Sequence, residues 1–174
     1  MTRVATAALR LATAPTDIAL ARALFAEYAQ WLKVDLCFQG FDRELAALPG
    51  AYASPSGRLL LAGTPGAAFG CIALRPIESA SGSGDEAFGA RIGTRIGEVK
   101  RLYVQPAHRN GGWGRRLAET LITDARAIGY TELKLDTLDW MADARGLYAR
   151  LGFRQCAAYY DNPLPGVIYM KLAL

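Results

Sequence analysis

The chain has 174 residues and a mass of 18.8 kDa, enough to bury a core without disulfides or a structural metal. It is 52% hydrophobic and 21% charged, a globular composition, with 20 basic and 16 acidic residues for a net charge of +4. No apolar run is long enough to span a membrane, the N-terminus lacks a secretion leader, and the cysteines (Cys37, Cys71, Cys156) and single histidine (His108) form no disulfide framework, zinc site or two-histidine motif.

Residues 7–12 alternate as a half-buried strand. Pro15 and Thr16 open a helix, with Thr16 as N-cap, and Ile18, Ala21, Leu24, Phe25, Tyr28, Trp31 and Leu32 follow on one face. Residues 41–48 form a short helix stopped by Pro49-Gly50. Strands at 58–62 and 67–74 pair as a hairpin around Gly63–Gly66. Residues 78–91, rich in Ser and Gly, read as a flexible loop. A strand at 96–104 ends at Pro106, and Gly112–Ile128 is a helix with Leu117, Leu121, Ile122, Ala125 and Ile128 on one face. A strand at 132–137, a helix at 140–151, a short strand at 153–157 and a final strand at 167–172 complete the order β-α-α-β-β-β-α-β-α-β-β. The central β-α-β unit should be parallel and right-handed, within a mixed sheet covered by helices on both faces.

The stretch Arg109-Asn110-Gly111-Gly112-Trp113-Gly114-Arg115-Arg116 follows a strand and opens a helix. Glycines admit close backbone approach, and amides at a helix N-terminus bind phosphate. Of the 20 basic residues, 4 are Lys and 16 are Arg, and the arginine fork suits anions. The loop is neither a Walker A sequence nor a dinucleotide fingerprint, because no Gly-Lys-Ser/Thr follows and Leu117 stands where a third glycine belongs. On its own it is equally a glycine-rich turn into a surface helix.

With the preceding Glu98-Val99-Lys100-Arg101-Leu102-Tyr103-Val104, the Arg109-x-x-Gly112-x-Gly114 loop resembles the signature of the GNAT family of N-acetyltransferases. Leu147-Tyr148-Ala149-Arg150-Leu151-Gly152-Phe153 is similar to the family's second motif. The resemblance runs from about Leu9 to the end and implies a single domain over 1–174. It also implies a mostly antiparallel sheet of about seven strands, splayed between the 98–104 and 132–137 strands. Acetyl-CoA would be the co-substrate. Arg109, Asn110, Gly111, Gly112, Trp113, Gly114 and Arg115 would hold its phosphates, Leu102 its thioester carbonyl, and Tyr103 and Val104 its pantetheine. No metal is implied. The sequence Tyr159-Tyr160-Asp161-Asn162-Pro163 also resembles uncharacterised bacterial members.

The resemblance places a general base at Glu98, which is equally a strand carboxylate paired with Lys100 or Arg101, and a general acid at Tyr148, whose phenol has an ordinary pKa near 10. Many members carry an asparagine seven residues before the tyrosine, where this chain has Met141. His108 reads as a surface residue and the cysteines as buried thiols. Trp31, Phe38, Asp136 and Tyr160 are the candidate acceptor residues. The expected activity is acetyl transfer to a small primary amine in the cytoplasm, without nucleic acid or membrane and with a homodimer possible. The alternatives are a non-catalytic acyl-CoA-binding module and a protein or aminoacyl-tRNA acetyltransferase.

Overall fold

The computed structural model describes residues 6–77 and 95–174; the loop expected at 78–91 lies outside them. Strand β1 (Ala8–Leu11) leads into α1 (Pro15–Leu32), α2 (Phe41–Ala47), the hairpin β2 (Arg58–Gly63) and β3 (Gly70–Pro76), then β4 (Ile96–Val104). Next come α3 (Trp113–Ile128), β5 (Glu132–Leu138), α4 (Ala142–Arg150), the two-residue β6 (Arg154–Gln155) and β7 (Val167–Ala173). They form one seven-stranded sheet in the order β1-β2-β3-β4-β5-β7-β6. Every neighbouring pair is antiparallel except β4 and β5.

Both faces of the sheet are covered, which is why β2 and β3 read as unbroken apolar runs rather than alternating ones. Leu59, Leu61, Cys71 and Ala73 point into a core with Phe25 and Leu32 of α1 and Phe41 of α2. Leu60, Ile72 and Leu74 point into the opposite core, with Leu117 and Leu121 of α3, Leu133 and Leu135 of β5, and Tyr148 of α4. No helix among the described residues is long and apolar enough to cross a membrane.

Four local expectations need correction. Ala14, not Thr16, is the N-cap of α1, and no side chain caps it; Pro15 takes the first helical position, where its missing N–H costs nothing, and this draws Thr16 inside the helix. Helix α4 begins at Ala142 rather than Trp140, because Trp140 lies in a turn whose ring packs 5.6 Å from that of Trp31. The sixth strand keeps only two paired residues. Of the three thiols only Cys71 is buried, whereas Cys37 is exposed beside Asp35.

Strand β4 carries the irregularity that matters most. Cys71 pairs with Tyr103 and Ala73 with Lys100, so the single Ile72 of β3 faces both Arg101 and Leu102, forming a β-bulge. Arg101 has φ of 58°, in the left-handed region that a side chain rarely adopts. Its guanidinium grips Glu44 of α2 in a fork (Nε to Oε1 2.9 Å, Nη2 to Oε2 2.6 Å) and lies 5.0 Å over the Phe41 ring. The Tyr52 hydroxyl also donates to Glu44, at 2.8 Å. Beside this bulge, β4 and β5 pair only from Ile96–Glu98 to Glu132–Lys134. Beyond Glu98 the two strands part.

Burial raises the Glu44 carboxyl, but its bonds to Arg101 outweigh that and hold it below its ordinary value. Its contribution to stability is therefore present at neutral pH and is lost as pH falls through the folded value. We expect Glu44→Gln to cost about 3 kcal/mol at neutral pH in urea denaturation, because it leaves the buried guanidinium without a counter-charge. The gap to wild type should narrow between roughly pH 5 and pH 3. A gap that does not change with pH would contradict the assignment.

Candidate functional site

The parting of β4 from β5 opens the sheet. In the gap lies a cavity of about 50 Å³, walled by Lys100, Arg101 and Leu102 of β4, Asp136 and Thr137 of β5, Tyr28 of α1 and Tyr148 of α4. On one side a groove of about 310 Å³ runs past Leu102, Tyr103, Val104, Arg109, Trp31, Trp140 and Met141. On the other a cavity of about 410 Å³ is lined by Phe38, Arg75, Glu98, Lys100, Tyr159 and Tyr160. Leu102 and Met141 border both the groove and the gap, while Gln39 and Lys100 border both the gap and the larger cavity. The three spaces thus adjoin, meeting where the strands separate.

The groove side holds the glycine-rich loop. Asn110 (φ 63°) and Gly112 (φ 74°) both adopt left-handed backbone, and Gly112 is the N-cap of α3 with no side chain covering the first-turn amides. A Cβ at Gly112 would meet nothing within 4 Å, so backbone conformation rather than crowding is what calls for glycine there. The arginines expected to converge on this loop each have a partner within the chain. Arg109 donates to the Val104 carbonyl at 3.0 Å and lies over the Trp31 ring at 4.7 Å. Arg115 pairs with Glu119, and Arg116 covers Trp113. Gly111 packs near the Trp113 ring, and Gly114 faces Leu147 of α4. His108 is exposed and stacks on Phe69 at 4.0 Å.

On the other side Glu98 is 3% exposed, and both its oxygens are engaged. Oε1 accepts from the Tyr159 hydroxyl at 2.8 Å and lies 3.2 Å from Lys100 Nζ. Oε2 accepts from Arg75 Nε and Nη2, both at 2.7 Å. Its cationic partners are therefore Lys100 and Arg75 rather than Arg101, which the bulge turns toward Glu44. Burial raises the Glu98 carboxyl, but Lys100, Arg75 and the Tyr159 hydroxyl together hold it below its ordinary value. Lys100, 6% exposed, also donates to Asp136 Oδ1 at 3.2 Å. Asp136 accepts a further bond from Asn162 and does not cap α4. The Tyr160 hydroxyl accepts from Gln39 Nε2 (3.2 Å) and Asn162 Nδ2 (2.9 Å), and Gln39 Oε1 is buried with no partner among the described residues.

Tyr148 is buried against Phe153, with ring centroids 5.5 Å apart, and lines the central gap. Burial pushes its phenol well above the ordinary value. No hydrogen bond from its hydroxyl is found among the described residues, which leaves that proton uncommitted. Of the expected acceptor residues, Phe38 and Tyr160 line the cavity beside Glu98 and Asp136 lines the gap. Trp31 lies on the opposite side, in the groove, because its ring packs with Tyr28, Tyr103 and Trp140. Arg75 had no role in the sequence reading. Arg75 stands directly opposite Glu98 in the β3–β4 register, which no local pattern announces. Among the described residues no group of three or more His, Cys, Asp or Glu is placed to hold a metal.

Residues 20–153 match the model of the acetyltransferase (GNAT) family. An uncharacterised N-acetyltransferase of Schizosaccharomyces pombe is 37% identical over 161 residues, covering 92% of this chain and 90% of the relative. That relative is eukaryotic, so the resemblance is not confined to bacterial members. An acetyltransferase from Streptococcus agalactiae superposes with a TM-score of 0.72 at 20% identity, covering 97% of this chain and 98% of the other. A putative acetyltransferase of Salmonella typhimurium, solved with its cofactor acetyl-CoA, superposes with a TM-score of 0.60 at 21% identity, covering 96% and 93%.

Because the Tyr148 hydroxyl has no partner to lose among the described residues, Tyr148→Phe should change stability by less than about 1 kcal/mol, whereas Tyr148→Ala should cost about 3–5 kcal/mol of packing. Urea denaturation of the two variants checks this. A large loss in the phenylalanine variant would mean that the hydroxyl is a structural anchor.

Proposed function

The chain belongs to the GNAT family of acetyltransferases, and from that premise we propose that it transfers the acetyl group of acetyl-CoA directly to a primary amine of a small molecule, with both substrates bound together. The observation that carries this reading is the gap between β4 and β5, which joins a groove on one side to a charged cavity on the other. Two substrates approaching from the groove and from the cavity would meet there. The cavity beside Glu98, at about 410 Å³, falls in the size range of small-molecule sites.

In this reading the backbone amides of residues 110–115 hold the phosphates, and Arg109 and Trp31 line the path to the gap. Tyr103 and Val104 offer backbone bonds to pantetheine. Leu102 has no Cα partner on β3, and its amide serves as the donor for the carbonyl oxygen as charge builds on it. The amine nitrogen attacks the thioester carbon, a C–N bond forms and the C–S bond breaks. Glu98, kept ionised by Arg75 and Lys100, stabilises the positive charge that appears on nitrogen and accepts its proton through water. Because its carboxyl lies below the ordinary value, it passes that proton on to solvent rather than keeping it. Tyr148 stays protonated and supplies the hydrogen that the departing sulfur needs. Phe38 and Tyr160 form an aromatic wall for an apolar amine, and Asp136 adds a negative charge beside it.

Release of free CoA thiol from acetyl-CoA, followed with a panel of small primary amines, tests the reading. Glu98→Gln and Tyr148→Phe should each lower kcat/KM by roughly a hundredfold or more. A rate unchanged in either variant removes that residue from the mechanism. The pH profile should rise with the amine's own ionisation and show no limb from Glu98 above roughly pH 5. A Glu98 limb near neutral pH would contradict a carboxylate held low by its cationic neighbours.

A further inference from the structure

The acceptor side already contains an amine. Lys100 Nζ lies 3.2 Å from Glu98 Oε1, 3.2 Å from Asp136 Oδ1 and 5.5 Å from the centroid of the Tyr160 ring. Two carboxylates and an aromatic face are what a receptor for an ammonium group requires. The same side chain lines both the central gap, with Leu102 and Tyr148, and the cavity beyond it. It projects from β4 two residues before Leu102, on the face it shares with Glu98. It is held by two carboxylates, one of them shared with Arg75, at the mouth of the gap.

We propose that Lys100 is itself an acetylation site, modified by the chain's own active site when acetyl-CoA is bound and no amine competes. The inference rests on the acetyl-CoA reading above. The ammonium first loses a proton to solvent through the larger cavity, which Lys100 lines, while Glu98 and Asp136 stay ionised. The free Nζ attacks the thioester carbon, the C–N bond forms, the C–S bond breaks, and sulfur leaves with a proton as the CoA thiol. The product is an amide nitrogen that no longer carries the charge separating Glu98 from Asp136, so the modified chain should turn over amines more slowly.

The chain has 4 lysines, and the other three are controls of known exposure. Lys33 is exposed, the Lys171 side chain is 51% exposed and that of Lys134 22%, against 6% for Lys100. Unassisted chemical acetylation follows exposure and labels Lys33 and Lys171 first. Acetylation through the gap reverses that order. Wild-type protein incubated with acetyl-CoA alone, then analysed by intact mass and by peptide sequencing in the mass spectrometer, separates the two. The expected result is one acetyl group, on Lys100, added roughly tenfold or more faster than on Lys33 or Lys171, with amine turnover falling in step. Heat-unfolded protein should lose the preference, and Lys100→Arg serves as the blank. Labelling that follows exposure, or an unmodified Lys100 in protein that still acetylates added amines, would overturn the inference alone. No CoA release with any amine and no labelled lysine would overturn the acetyl-CoA reading with it.

Discussion

The site depends on one strained residue. Arg101 holds a left-handed backbone that costs about 1–3 kcal/mol for a residue with a side chain, and the fork to Glu44 under the Tyr52 hydroxyl offsets it. The anchor sits at the bulge itself, where Ile72 faces two residues of β4. The bulge takes Arg101 and Leu102 out of register with β3 and sends the Arg101 side chain away from the carboxylates. It lies next to the point where β5 leaves β4, so the opening, the unpaired stretch of β4 and the access of Tyr148 all belong to the same irregularity. Helix α2 has only seven residues, yet it supplies the counter-charge that keeps the strand bent.

Electrostatics divides the two sides of the opening. Toward the groove the arginines lie over aromatic rings or pair at the surface, leaving backbone amides as the main polar lining near the loop. Toward the cavity, Arg75 and Lys100 balance Glu98 and Asp136 within one connected network. A buried carboxylate with two cationic partners and a tyrosine donor stays charged. A buried phenol with no partner stays neutral. The two groups stand in opposite protonation states, Glu98 in the cavity and Tyr148 in the gap beside it; in the proposed reaction that difference separates the charge developing on nitrogen from the proton supplied to sulfur.

Much of this was legible in the sequence, because the long elements carry strong periodicity. Leu117, Leu121, Ile122 and Ala125 announced α3, and Glu98 with Lys100 share a face by simple alternation. Of the loop motif, Arg109 lines the groove. Element boundaries were harder, since Thr16 looks like a cap until Pro15 claims the first turn, and Trp140 looks helical until its ring finds Trp31. Of the partners of Glu98, Lys100 was legible, but Arg75 and Tyr159 were not. Arg75 reaches Glu98 through cross-strand register beside a bulge whose Arg101 is gripped by Glu44, 57 residues away in sequence. The helical face of Trp31 was evident, but that it lines the groove and not the cavity beside Glu98 is a tertiary fact.

The account makes a spatial claim about where a thiol must sit. The most direct measurement is a crystal structure of the protein with CoA bound. The account predicts pantetheine along the groove past Trp31, Arg109 and Val104, with the sulfur in the gap, within hydrogen-bonding reach of the Tyr148 hydroxyl and next to the Leu102 amide. A CoA thiol in the cavity beside Arg75, or a pantetheine arm outside the groove, would contradict it.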